Sequence, residues 1–203
     1  NLEALEAAGA EILWFSPLAD GGLPAGTQGV YLGGGFPEVH ARALAENRGI
    51  RHDLREAARS GLPVYAECGG LMALARELVD GKERFPMSGA LDLVVEQTPR
   101  PQGHGYVIAG VAGESRWFGR GSTIRGHEFH YSRVVTGGDV ARAVLELERG
   151  TGLGNGRDGI VKGTVWASYL HVHAASVPGW AERFGCLCTG GSGCRVEPAA
   201  AEV

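Results

Sequence analysis

Cys68 stands in the run Tyr65-Ala66-Glu67-Cys68-Gly69-Gly70, where an apolar stretch of strand length meets two glycines and then a helical pattern. A sulfur so placed sits at a strand–turn–helix elbow of the kind that presents the nucleophile in α/β hydrolases, and the tight turn requires the small neighbours Ala66, Gly69 and Gly70. Helix N–H groups aimed at the sulfur favour thiolate over thiol. The Gly69 N–H points where an oxyanion would form. Nucleophilic catalysis is the chemistry this implies; the competing reading is a buried cysteine acting as a small hydrophobe.

A second apolar run enters Gly33-Gly34-Gly35-Phe36-Pro37-Glu38. A triple glycine lets backbone approach a ligand and offer N–H donors without side-chain interference. A phosphate-binding loop would look similar, but Gly-x-x-x-x-Gly-Lys-Ser/Thr occurs nowhere in the chain, so an oxyanion donor fits better. A thiolate also needs a base. The candidates are His127 and His130 in Arg125–Ser132, and His171 and His173 at the end of an apolar strand. Spacing does not choose between His171 and His173, which would share one face of an extended strand.

The elements that must position these groups follow from periodicity. Residues 2–8 read as the end of a helix with Gly9 past its C-terminus. Glu11–Phe15, Val30–Leu32 and Pro63–Ala66 read as short apolar strands. Helical spacing from Val39 to Ala58 is divided near Asn47 and Gly49, and a further helix follows Cys68 with Leu71, Met72, Leu74, Ala75, Leu78 and Val79 on its apolar side. Alternating strands and helices predict a central, mostly parallel sheet covered on both faces, with ligands at the strands' carboxyl ends, where both glycine turns lie. From about Phe85 the pattern changes to short strands at 87–94, 105–111, 129–135, 143–148, 159–162 and 164–170, an antiparallel-rich half. After Phe184 the Gly, Ser, Ala, Pro and Cys content predicts a poorly ordered tail over 185–203.

The 203 residues suit one full-sized domain, at a net charge of −4 with 19 scattered basic residues, which argues against nucleic acid or an anionic membrane as the main partner. No apolar run approaches the ~20 residues that span a bilayer. Four cysteines, at 68, 186, 188 and 194, do not form a dispersed disulfide framework, so a cytoplasmic protein is expected. Cys186, Cys188 and Cys194 are one ligand short of a closed zinc site.

Several ordered blocks then carry a resemblance: Asn1-Leu2-Glu3, Phe15–Leu18, Leu32–Glu38, Ala66–Met72, Arg125–Ser132 and Ala167–His173. Over residues 1–184 the chain resembles the glutaminase domain of cobyrinate and hydrogenobyrinate a,c-diamide synthases, a branch of the triad-type class I glutamine amidotransferases. The resemblance implies an α/β amidotransferase fold in which Cys68 attacks glutamine to give a γ-glutamyl thioester and ammonia. It implies that His171 is the catalytic histidine, that Gly34 or Gly35 together with Gly69 holds the oxyanion, and that Glu128 and His130 line the glutamine pocket, with no metal in this domain. Ammonia would pass to an N-terminal ATP-binding synthetase domain that uses ATP and Mg2+ to amidate a corrinoid. That domain and the glutaminase domain's opening strand are expected to lie outside this sequence, which reads as a fragment.

The sequence departs from most triad enzymes at the place two residues after His171, where His173 stands instead of a glutamate that would orient the imidazole. A Cys–His dyad with an unidentified orienter is therefore expected. Two rival readings are a metal-binding hydrolase built on His127, His130, His171 and His173, and a non-catalytic docking domain. The order His-Glu-Phe-His rather than His-Glu-x-x-His weighs against the first.

Overall fold

The computed structural model describes residues 1–190. In chain order its helices and strands begin with α1 (Leu2–Ala7), β1 (Val30–Leu32), α2 (Ala41–Glu46), α3 (Arg48–Ser60), β2 (Val64–Glu67) and α4 (Gly69–Leu74). Then come β3 (Glu77–Asp80), β4 (Glu83–Pro86), β5 (Val94–Gln97), β6 (Gly103–Val111), β7 (Thr123–His130) and β8 (Ser132–Thr136). β9 (Ala143–Arg149), β10 (Arg157–Lys162), β11 (Val165–Ser168), β12 (His171–Val172) and α5 (Trp180–Cys188) complete the fold.

Strand β2 is buried along its whole length, and its pleat divides the interior in two. Val64 and Ala66 point into a core with Leu54, Leu71, Leu74 and Leu78. Tyr65 points the other way, into an aromatic cluster with Trp117, Trp166, Trp180 and Phe184. Glu67, two residues on from Tyr65, is therefore a carboxylate on the aromatic side of a buried strand.

One sheet has the order β1-β2-β11-β10-β9-β6-β7-β12, and a smaller one has β4-β3-β5-β8. Parallel pairing in the large sheet is confined to β1–β2 and β2–β11, and its other pairings are antiparallel. The parallel part predicted from the first half of the sequence is thus narrow, and the antiparallel half supplies most of the sheet. Its last strand, β12, comes back to the ends of β1 and β2. The Asn1 side chain donates to Val172 O at 2.7 Å and to the Tyr31 hydroxyl at 3.1 Å, and Val172 N–H donates to Glu67 Oε1 at 3.0 Å.

Several expected elements differ. Glu11–Phe15 forms no strand; Ile12, Leu13 and Trp14 instead line, with Val30 and Leu32, a cavity of about 1060 Å³, and Trp14 is 76% exposed. An apolar run becomes a strand only when a neighbour satisfies its backbone, and among the described residues no strand pairs with it. The helix after Cys68 stops at Leu74 instead of reaching Val79, and Leu78 and Val79 belong to β3. Such short apolar runs read equally as helix or strand. Residues 87–93 are a loop, buried except at Gly89 and Asp92, whose Ser88, Gly89 and Leu91 N–H groups donate to Ala73, Ala75 and Leu74 carbonyls, capping the end of α4. The expected tail begins later than Phe184, because α5 runs to Cys188 with Leu187 buried. Cys194 and the rest of 191–203 lie outside the described residues. No helix among the described residues is long and apolar enough to cross a membrane.

Candidate active site

Cys68 joins β2 to α4 with φ 48° and ψ −98°, a conformation that non-glycine residues adopt only under constraint. Its N–H donates to Ser168 O at 2.7 Å, extending the β2–β11 pairing by one residue and fixing the elbow. The side chain is nearly buried, with Sγ 3.8 Å from Phe129 O. The two glycine turns interlock beneath it. A Cβ on Gly69 would stand 2.8 Å from both N and O of Gly35, and one on Gly70 would stand 2.4 Å from Leu32 O. Only glycine permits this approach.

His171 reaches the site from β12, whose residues His171 and Val172 pair with His127 and Gly126 of β7. Gly34 lies against the ring: a Cβ there would be 2.3 Å from Cε1. Burial alone would lower the affinity of His171 for a proton. The neighbouring Cys68 sulfur and the Glu67 carboxylate outweigh burial and push it up to about 9. Nδ1 is 3.8 Å from Glu67 Oε2, within ion-pair reach and long for a hydrogen bond. His127 stacks on His171 with centroids 4.8 Å apart, and burial followed by the neighbouring imidazole lowers its proton affinity.

The two histidines that spacing left open differ in position. His171 faces Cys68 and Glu67, whereas the exposed His173 accepts the Ala175 N–H on Nδ1 at 3.1 Å and starts a 3-10 turn. His130 lines a cavity of about 20 Å³ beside Cys68, together with Gly35, Met72, Phe129 and Tyr131, room for one water-sized group. Its Nδ1 donates to Ser132 O at 2.7 Å and its ring stacks on Tyr169. Glu128 is not among the residues lining that cavity. Its oxygens accept the N–H groups of Thr151 and Gly152 at 2.7 and 2.8 Å and face His130 Nε2 at 3.4 Å. Burial would raise its carboxyl, but these partners hold it below the usual range. The expected pocket residue is thus anchored to the 150–152 turn.

A metal centre does not assemble from the four histidines: His130 has both nitrogens engaged and His173 caps a turn. Among the described residues no group of three or more His, Cys, Asp or Glu could hold a metal ion.

Three contributors were missed from sequence. Glu67 contacts His171; its signal was a charge ending an otherwise apolar strand. Asn1 ties the chain start to β12 through Val172 O and the Ala174 N–H. Asp158, 1% exposed, accepts the N–H groups of Gly159, Tyr169 and Leu170 and so shapes the corner from β11 into β12. Burial pushes its carboxyl up to about 6 against those three bonds.

Residues 1–178 match the family model of the CobB/CobQ-like glutamine amidotransferase domain. The chain is 40% identical over 181 residues to a cobyrinate a,c-diamide synthase of Magnetococcus marinus, covering 89% of this chain and 38% of that protein. It is 46% identical over 186 residues to a hydrogenobyrinate a,c-diamide synthase of Streptomyces coelicolor, covering 91% of this chain and 36% of that one. The chain therefore spans less than two fifths of the length of these two relatives. A solved glutamine amidotransferase superposes with TM-score 0.65 at 21% identity, covering 92% of this chain and 91% of that one, which shows the shared fold. A cysteine elbow against a glycine turn, a histidine brought to it by the last strand, and a family match over nearly all the described residues agree: the chain belongs to the CobB/CobQ-like glutamine amidotransferase family.

Proposed function

We propose that this chain splits glutamine at Cys68 and releases ammonia for an ATP-dependent amidation. The observation that carries this reading is the strained Cys68 elbow packed on the Gly33–Gly35 turn, with the His171 ring lying against Gly34 of that same turn. The sulfur attacks the side-chain amide carbon, and the oxyanion forms against N–H groups of Gly69 and of Gly34 or Gly35. Protonated His171 gives its proton to the departing nitrogen, so ammonia leaves and a γ-glutamyl thioester remains. Water then attacks the thioester with His171 as base, yielding glutamate and restoring the thiol.

The relatives named above are a,c-diamide synthases, and on this reading the ammonia amidates the a and c carboxylates of a corrinoid in cobalamin biosynthesis. ATP and Mg2+ belong to a synthetase partner domain.

The test is reaction of the purified chain with a diazo-ketone analogue of glutamine, followed by peptide mapping. Labelling at Cys68 that glutamine protects against, and that Cys68→Ala abolishes, is expected. A Cys68 that resists millimolar reagent would overturn the assignment and favour a docking domain.

A further inference from the structure

The family match leaves open what orients His171, since Val172 and His173 follow it where an acid would be needed. Glu67 is only 3% exposed, a burial that carboxylates almost never tolerate without partners. One of its oxygens supports the sheet, since Oε1 accepts the Val172 N–H at 3.0 Å and holds β12 against β2. The other is directed into the site, where Oε2 accepts from the Tyr31 hydroxyl at 3.3 Å and faces His171 Nδ1 at 3.8 Å. Asn1 in turn donates to the Tyr31 oxygen, so three residues fix this carboxylate. With Nδ1 toward Glu67, Nε2 is the nitrogen left for sulfur. Hydrogen bonds that work in catalysis are often long before substrate binds and tighten in the complex.

We propose that Glu67, the residue before the nucleophile, is the positioning residue for His171: it holds the imidazole with its proton on Nδ1 and stabilises the imidazolium that forms when Cys68 ionises. The third group of this triad thus comes from the nucleophile's own strand rather than from the histidine's. A purely structural role would be served by accepting the two neutral donors, the Val172 N–H and the Tyr31 hydroxyl, and would not need a charge. The titratable groups around Glu67 are Tyr31 on β1, Tyr65 on its own strand, Cys68 after it, and His171 and its stacked neighbour His127 on β12 and β7. Of these, only the imidazoles can present a cation to the carboxylate.

The inference rests on the glutaminase reading, and the experiment separates the two. Glu67→Gln keeps an oxygen for the Val172 N–H while removing the charge. In the variant, with circular dichroism unchanged, the His171 titration followed by NMR is expected to fall by one unit or more. Cys68 alkylation by iodoacetamide at neutral pH should slow about tenfold, the factor that one unit represents. Unchanged titration and alkylation would overturn the proposal, even with glutaminase activity intact. Should Glu67→Gln fail to fold, nitrogen-15 shifts of His171 in the unaltered chain decide: a neutral ring protonated on Nδ1 supports the role, and one protonated on Nε2 overturns it. Failure of Cys68 to react with the glutamine analogue would instead overturn the parent reading, without touching the His171 titration.

Discussion

Gly34 and His171 are in such close register that a side chain on one would occupy the ring of the other, with a Cβ 2.3 Å from Cε1. The nearest atoms belong to a ring whose position matters, so the clash is resolved by moving the imidazole. Gly34→Ala is expected to leave the unfolding midpoint nearly unchanged and to lower kcat for glutamine hydrolysis at least tenfold. Steady-state kinetics beside urea denaturation checks this.

Cys68 and His171 should depend on one another. Removing the imidazolium removes a favourable charge from beside the sulfur, so in His171→Ala the pH profile of Cys68 alkylation should move to higher pH. An unshifted profile would transfer the role of base to another histidine.

His171 also links stability to pH. Its proton is held more tightly in the folded chain, at about 9, than at its ordinary value of 6.5. The raised affinity therefore stabilises the fold fully below about pH 6.5, and that contribution is lost as pH rises through 9. Urea midpoints measured from pH 6 to 10 should fall over this window, and the fall should be smaller in His171→Ala.

Asp158 accepts three backbone N–H groups in a site with 1% exposure. Asp158→Ala leaves those donors buried without partners, at roughly 1–3 kcal/mol each. A loss of about 3 kcal/mol or more in unfolding free energy is expected, together with slower alkylation at Cys68, because two of the three donors lie in the corner leading to His171. Near-native stability would show that solvent replaces the carboxylate.

Glu128→Ala should act on stability through the 150–152 turn. Thr151 and Gly152 lose their acceptor and His130 loses its carboxylate partner. A loss of about 2–4 kcal/mol is expected from unfolding curves, in the range found when one partner of a buried charged pair is removed.

The parts of the site built from consecutive residues were legible in the sequence. Tyr65–Gly70 declares strand, elbow and helix start within six positions, and the triple glycine at 33–35 announces close backbone approach. The parts built across the sheet were not. Nothing local separates His171 from His173; their difference arises because β12 extends only to Val172, after which the chain turns and His173 becomes a cap. Glu128 reads as a pocket residue beside His130, but alternation along β7 does not reveal that the 150–152 turn delivers two amides to it. The missing strand at Glu11–Phe15 and the early end of α4 have one cause. Short apolar runs take their conformation from whichever neighbour pairs with their backbone.

The return of β12 to the ends of β1 and β2 also bears on how the chain reaches its active form. Val172 and Glu67 are 105 residues apart in sequence, and Asn1 and Val172 are 171 apart. Closing such loops is an entropic burden that falls late in folding, after the local hairpins have formed. His171 takes its place only through that closure, so the rate of Cys68 alkylation followed during refolding is expected to report it.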